Sequence, residues 1–120
     1  MKQSAGFFIA LGGSLGAALR FGLFECSLFS LYWDTVAVNV LGCLIIACLA
    51  VKRDNLSDNM QGFAMTGFCG ALTTFSLFSL ELLDLLKDQQ WLDALIYLAI
   101  TFGISIPLVF SIVTLTRRSR

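Results

Sequence analysis

The chain has 120 residues, of which 58% are hydrophobic and only 13% are charged, with a mean hydropathy of +0.85 and no formal net charge. Soluble domains carry about a quarter charged residues, so this composition excludes an ordinary soluble protein and indicates an integral membrane protein. Histidine is absent and the four cysteines show no C-x-x-C spacing. A zinc site is therefore not expected, and the cysteines are interpreted as small apolar packing residues.

Four apolar stretches predict four membrane-spanning helices in one domain covering residues 1–120, because roughly 20 apolar residues cross the hydrocarbon core. The predicted spans are 4–31, 35–51, 60–84 and 91–116. The first span includes Arg20 and Glu25, which are expected to snorkel or to face protein. Short links are predicted around Tyr32–Asp34, Lys52–Asp58 and Asp84–Asp93. The first stretch is too long for a secretory signal and has no clear cleavage site, so the mature chain is expected to start at Met1.

The first segment contains the sequence GGSLGAALR. Gly12 and Gly16 have the spacing of small residues that lets helix backbones approach closely, which predicts helix packing. Arg20 follows one turn later, near a membrane interface or in a wet vestibule. Two interpretations stay open for it, since an arginine there could attract anions or anchor the helix.

The second segment carries one strongly polar side chain, Asn39, with Gly42 on the same helical face. An amide in hydrocarbon costs free energy unless it has partners, so Asn39 should face protein or water. A hydrogen bond to another helix and contact with a permeant species are both consistent with this position.

The third segment holds the stretch GALTTFSLF, residues 70–78. Glycine weakens a helix and threonine hydroxyls compete for backbone groups, so Gly67, Gly70 and the pair Thr73 and Thr74 predict a helix broken near Gly70–Thr74. The alternative is an unbroken helix with back-bonded threonines. At a break, freed carbonyls can coordinate a cation, and the next helix N-terminus favours an anion.

After the predicted break, Phe75 and Phe78 share one helical face and Ser76 and Ser79 share an adjacent one. The edge of a phenyl ring is positive, so a ring edge turned toward a cavity can meet an anion. Ordinary lipid or core packing of the phenylalanines is the alternative. Glu81, at the end of this segment, is expected to be solvated.

The fourth segment sets Tyr97, Thr101 and Ser105 at intervals of four residues, which places three hydroxyls on one helical face. This stripe either bonds to neighbouring helices or lines a wet path. Pro107, the only proline, is expected to kink the helix.

The basic residues are distributed unequally between the two sides of the membrane. With both termini on one side, that side carries six basic residues and the other carries Lys87, with Arg20 counted as intramembrane. The six are Lys2, Lys52, Arg53, Arg117, Arg118 and Arg120. This bias predicts termini in the cytoplasm.

Three motifs in this order resemble the CrcB/Fluc family of fluoride channels. They are GGSLGAALRF from Gly12, VNVLG around Asn39, and GFCGALTTFSLFSLE over 67–81. The resemblance spans essentially the whole chain. It implies a bacterial inner-membrane channel that exports fluoride passively, built as an antiparallel, inverted-topology dimer with two pores.

The resemblance also implies roles for particular residues. A central Na⁺ would be held at the dimer axis by backbone carbonyls of Gly70 and Thr73. The pore residues that it implies are Asn39, Phe75, Phe78, Ser76, Ser79, Tyr97 and Thr101. Arg20 would have an electrostatic or structural role. This chain departs from the family pattern at Ala71, where a second glycine is usual, and at Leu77, where a threonine is usual.

Two further classes of membrane protein fit the size of the chain. A small multidrug transporter would need a carboxylate deep in the first segment, where this chain has Ser14. A non-transporting assembly subunit explains the small residues but not a polar break beside paired phenylalanines. An enzyme is not expected, because no histidine and no intramembrane acid pair is present.

The charge bias bears on the dimer itself. An antiparallel homodimer requires each chain to insert both ways, whereas six basic residues against one predict a single orientation. A homodimer is the expectation from the family, and a heterodimer with an oppositely oriented paralogue is the alternative.

Overall fold

The computed structural model describes residues 3–26, 29 and 31–118, and these fold almost entirely into helices. Helix α1 is Gln3–Cys26 and α2 is Leu31–Val51. We define α3 as residues 58–72, which comprise an α-helical turn (Asp58–Gln61), a π-helical stretch (Gly62–Cys69) and a last α-helical turn (Gly70–Leu72). Helix α4 is Phe75–Lys87 and α5 is Trp91–Arg118. A short 3₁₀ turn, Arg53–Asn55, links α2 to α3.

These helices make four spans long and apolar enough to cross a membrane. The third span, Asp58–Lys87, consists of α3 and α4 together. The prediction of an all-α, multi-pass membrane protein is confirmed.

The first helix is shorter than the approximate span predicted for it, since α1 ends at Cys26 and Leu31 already begins α2. Asp34 lies in the first turn of α2, and its Oδ1 accepts a hydrogen bond from the backbone N–H of Phe29 at 3.1 Å. A carboxylate is stabilised at a helix N-terminus, so this charge starts a helix where the sequence suggested a link. Residues 1, 2, 27, 28, 30, 119 and 120 lie outside the described part of the chain, and with them Lys2 and Arg120 of the charge count.

The predicted break in the third segment is confirmed, and it lies at the C-terminal end of the predicted range. Thr73 and Thr74 have extended backbones, with ψ of 157° and 113° respectively. Gly70 keeps right-handed helical angles, with φ −62° and ψ −33°. The unbroken-helix alternative is wrong, although the Thr73 hydroxyl does bond back to the Cys69 carbonyl at 3.0 Å.

Helices α1 and α3 approach so closely that only glycine fits at their contact, which confirms the packing predicted for the first segment. A Cβ on Gly12 would lie 2.0 Å from the carbonyl oxygen of Phe63. A Cβ on Gly16 would lie 2.3 Å from that of Phe68. This contact fixes α3, and hence the break that follows it, against α1.

Gly16→Ala is therefore expected to destabilise the protein by about 1–3 kcal/mol, since the added methyl group meets backbone that cannot rotate away. Gly22→Ala in the same helix is the matched control, because a Cβ there has none of the described atoms within 4 Å. The control should leave stability unchanged or raise it slightly, as alanine favours helix. Thermal unfolding in detergent measures both, and equal midpoints for the two variants would contradict the packing role.

The buried core lies where α2, α4 and α5 meet. Its buried apolar members are Val36, Phe78, Leu85, Ala94 and Tyr97. Pro107 lies inside α5, which continues past it to Arg118. The α2–α5 packing places Thr101 and Ser105 of the hydroxyl stripe in the same cavity lining as Asn39 and the break.

Candidate functional site at the helix break

Asn39 on α2 hydrogen-bonds to both backbone groups of Thr74, at the break in the third segment. Its Oδ1 accepts from the backbone N–H of Thr74 at 2.7 Å, and its Nδ2 donates to the Thr74 carbonyl at 3.1 Å. The interpretation of Asn39 as an interhelical hydrogen-bonding residue is confirmed. An amide has two N–H donors, so one remains for a ligand, and Asn39 also lines the cavity described below.

Thr73 is held from two other helices. The Nη1 of Arg20 on α1 donates to the Thr73 carbonyl at 3.0 Å. Gly42 on α2 leaves room for the Thr73 methyl group, since a Cβ on Gly42 would lie 2.2 Å from it. Arg20 therefore ties α1 to the break, a contact that neither sequence interpretation specified, and it also places a positive charge next to Thr73.

Thr74 starts the helix that follows the break. Its Oγ1 accepts from the backbone N–H of Leu77 at 3.2 Å, which caps the N-terminus of α4. The 13 residues of α4 thus direct their N-terminal end at the break. That end carries a partial positive charge and favours an anion.

A cavity of about 200 Å³ lies beside the break, and we call it the central cavity. It is lined by Asn39, Cys43, Thr73, Thr74, Phe75, Phe78, Thr101, Phe102 and Ser105. These lining residues are all neutral. The cavity therefore combines apolar rings with amide and hydroxyl groups and presents no fixed countercharge on its own wall.

Two hydroxyls in this wall have no hydrogen-bond partner among the described residues. Thr101 and Ser105 are only 6% and 9% exposed, and their hydroxyl oxygens are buried. A buried hydroxyl without a partner costs about 1–3 kcal/mol, which indicates that the cavity holds water or a ligand that they contact. The stripe predicted on the fourth segment faces the cavity through these two members, and Ser105 is not among the residues that the resemblance implied.

The phenylalanine rings form one wall of the cavity. Phe78 is buried, and its ring centroid lies 5.9 Å from that of Phe75 and 5.5 Å from that of Phe102, which it meets edge to face. Phe75 is 70% exposed although it lines the cavity. The structure brings the predicted pair together and adds Phe102, a residue without a distinguishing sequence signal in a chain with 11 phenylalanines.

Ser76 and Ser79 do not line the central cavity, whereas Asn39, Phe75, Phe78 and Thr101 do. Both are exposed on α4. The Ser79 hydroxyl donates to the Phe75 carbonyl at 2.9 Å, and the Ser76 hydroxyl lies 3.4 Å from that of Thr74. Their separation from the rings follows from helical geometry, since neighbouring positions point about 100° apart.

The expectation that Glu81 is solvated is wrong, because its side chain is only 2% exposed. The carboxylate accepts from the Thr35 hydroxyl at 2.9 Å and from the Tyr97 hydroxyl at 2.5 Å. Two donors from α2 and α5 compensate the burial of this group. Tyr97, a predicted pore residue, therefore directs its hydroxyl to Glu81. An acid between apolar residues on both sides was the available sequence signal.

Two further spaces lie along α5, one on each side of the central cavity. On one side, a cavity of about 190 Å³ includes Trp33, Asp93 and Tyr97 in its wall. The rings of Phe78 and Tyr97 lie between it and the central cavity, with centroids 4.9 Å apart and planes inclined by 36°. On the other side, a groove of about 970 Å³ shares Cys43, Phe102 and Ser105 with the central cavity and extends to Arg117. The three spaces follow α5 over most of its length.

A protein family and several known proteins match this chain over most of its length. The family model described as CrcB-like protein, Camphor Resistance (CrcB), matches residues 7–113. A Rhizobium etli (strain CIAT 652) protein named Fluoride-specific ion channel FluC is 37% identical over 112 residues, covering 88% of this chain and 90% of its own. Proteins of the same name from Stutzerimonas stutzeri and Acinetobacter baumannii are 43% and 44% identical, over 76% and 77% of this chain and 79% and 77% of their own.

Proposed function

Because this chain belongs to the CrcB-like family, we propose that it is a fluoride-selective channel that lets the ion leave the cell passively. Relatives named as fluoride-specific channels support the choice of ion. The observation that carries the proposal is the pair of buried hydroxyls, Thr101 and Ser105, without described partners in a neutral cavity. A small anion that accepts hydrogen bonds fits such a cavity.

Fluoride is small and strongly hydrated, so a pore must replace its water by hydrogen-bond donors. We assign this work to the second N–H of Asn39, the hydroxyls of Thr101 and Ser105, and the ring edges of Phe75 and Phe78. Each of these contacts is weak and neutral, which lets the ion leave again, whereas a lysine or arginine in the narrow path would trap it. No chemical step is needed, so the protein acts as a channel and not as an enzyme.

Two sources of positive charge next to the central cavity favour an anion over a cation. Arg20 binds the Thr73 carbonyl, and Thr73 lines the cavity. The N-terminus of α4 begins at the same break. Their fields act in a cavity walled partly by apolar rings, where charge interactions are stronger than in bulk water.

Tyr97 has a different task from the one that the resemblance implied. Its hydroxyl is bound to Glu81, and its ring packs against Phe78 between two of the spaces along α5. We assign to it the division between the central cavity and the cavity that includes Trp33 and Asp93, with Glu81 holding the ring in place.

The path is completed, in our proposal, by a second chain in the antiparallel orientation. Phe75 lines the central cavity and yet leaves 70% of its surface open, so one chain supplies only part of the wall. A second copy would cover this ring and the exposed Ser76 and Ser79, and it would create a second, equivalent pore.

The backbone at the break fits a structural Na⁺ on the axis of such a dimer. In a continuous helix the Thr74 N–H would bond to the Gly70 carbonyl, but here it donates to Asn39. The Gly70 carbonyl is thus available as an oxygen ligand of the kind that unwound backbone offers to Na⁺. The Thr73 carbonyl already accepts from Arg20 and would offer Na⁺ its second lone pair. Bound Na⁺ would supply a fixed positive charge. Dimer stability that is the same in Na⁺ and in choline would contradict this assignment.

We place the protein in the bacterial inner membrane, with its termini in the cytoplasm. Lys52, Arg53 and Arg117 lie at the ends of α2 and α5 on the terminal side, and Lys87 ends α4 on the other. This imbalance supports a single orientation and hence a partner from an oppositely oriented paralogue, while family membership supports a homodimer. The accessibility of tags on each terminus distinguishes one membrane orientation from two. Equal populations of both orientations would exclude the fixed orientation.

Liposomes containing the purified protein test the function. We expect rapid fluoride efflux and no chloride efflux above that of empty vesicles. Phe75→Ile should slow fluoride efflux at least about tenfold while leaving the dimer intact, because the mutation removes a ring edge and keeps an apolar side chain. Proton-coupled movement of organic cations would favour a multidrug transporter. Retention of every solute by intact dimers would favour an assembly subunit.

A further inference from the structure

Cys43 differs from the other cysteines in its position. It lines both the central cavity and the groove that leads to Arg117, and its side chain is partly accessible. Cys69 is buried, whereas Cys26 and Cys48 are exposed on helix surfaces outside the lining of these two spaces. One thiol of the chain therefore stands where the cavity opens into the groove.

A second observation shows that this junction is a place for a ligand. The Ser105 hydroxyl shares both linings with Cys43, is nine-tenths buried and has no hydrogen-bond partner among the described residues. Thr101, which lines the same cavity, also has a buried hydroxyl without a hydrogen-bond partner among the described residues. These hydroxyls indicate that small polar species enter as far as the thiol.

We propose that Cys43 is a covalent modification site for small, uncharged thiol-reactive compounds, and that its modification blocks ion passage. The inference rests on the proposed function, since the block is measured as lost fluoride efflux. The thiol is reached through the apolar groove, which admits a neutral reagent. A group added to Cys43 projects beside Ser105 into a cavity of about 200 Å³ and occupies the space that the ion needs.

Methyl methanethiosulfonate is a suitable reagent. The Cys43 thiolate, after losing its proton to solvent, attacks the sulfenyl sulfur of the reagent and forms a new S–S bond. The bond between that sulfur and the sulfonyl sulfur breaks, and methanesulfinate leaves. The product is a methyl disulfide on Cys43, which dithiothreitol reduces back to the thiol.

The experiment compares fluoride efflux before and after treatment with methyl methanethiosulfonate, and the rate of each protein is normalised to its own untreated rate. Wild type is expected to lose at least about nine-tenths of its efflux, and dithiothreitol should restore it. Cys43→Ala should retain most of its own rate after treatment. Cys48→Ala is the matched control on the same helix and should respond as wild type does. Peptide mass spectrometry should find the methyl disulfide on Cys43 and not on the buried Cys69.

Three results would overturn the proposal. They are absence of label on Cys43, unchanged efflux in fully labelled wild type, or equal sensitivity of Cys43→Ala and wild type. A wild-type protein without fluoride efflux before treatment would instead refute the proposed function. The modification site would then be decided by labelling alone, with faster labelling of Cys43 than of Cys69 as the supporting result.

Discussion

Fluoride efflux is expected to fall about a hundredfold, without loss of protein stability, when Thr101→Val and Ser105→Ala are combined. Both hydroxyls are buried without a described partner, so apolar replacements of similar shape remove an unfavourable burial and leave no protein group unsatisfied. A hydrogen bond to a charged group contributes about 1.5–3 kcal/mol, and each 1.4 kcal/mol corresponds to about tenfold in rate when the bond forms in the rate-limiting step.

The measurement pairs efflux from liposomes with thermal unfolding in detergent. Thr116→Val is the matched control, because the Thr116 hydroxyl donates to the Ile112 carbonyl at 2.8 Å and lies outside the lining of the central cavity. It should leave efflux unchanged. If the double variant loses stability and efflux in parallel, the two hydroxyls serve packing and the proposed path is wrong.

Asn39→Leu is expected to abolish efflux and also to destabilise the protein by about 2–5 kcal/mol. The substitution removes the acceptor for the Thr74 N–H and the donor for the Thr74 carbonyl, and each unsatisfied buried group costs about 1–3 kcal/mol. It also removes the amide N–H assigned to the ion. The Thr74 N–H would regain a partner only in a continuous helix across the break, where it would bond to the Gly70 carbonyl.

Asn39→Asp separates these contributions. Aspartate keeps the oxygen that accepts from Thr74, loses the donor to its carbonyl, and when ionised brings a negative charge to the anion path. We expect efflux to be lost with a smaller change in unfolding temperature than in Asn39→Leu. Leu41→Ala, on the exposed side of α2, is the control for an altered helix surface. Near-wild-type efflux in Asn39→Leu would remove Asn39 from both roles.

The third segment shows how far local sequence specifies this fold. The glycines and paired threonines weaken a helix by themselves, so a break near Gly70–Thr74 could be predicted from residue preferences. Its position at Thr73 and Thr74 could not, because that depends on which backbone groups Asn39 and Arg20 reach from two other helices. The contact of Asn39 with Thr74 spans 35 positions of the sequence, and that of Arg20 with Thr73 spans 53.

The candidate site likewise has residues that the sequence predicts and residues whose position depends on packing. Asn39, Phe75, Phe78 and Thr101 were predicted from their chemistry and motif, and all four line one cavity. Ser76 and Ser79 have suitable chemistry too, but they lie on the exposed side of α4, and only packing decides which face of a helix meets its neighbour. Glu81 was misinterpreted because its two hydroxyl partners come from other helices.

By itself the sequence determined the membrane location, the number of spans, the weak point of the third helix and the family, since these follow from composition, length, residue preferences and local motifs. The tertiary structure decided which polar groups are satisfied and which are left for a ligand. Asn39, Glu81, Thr101 and Ser105 are all polar residues in apolar segments, and only the distances to their neighbours separate the first two, which have protein partners, from the last two, which have none described.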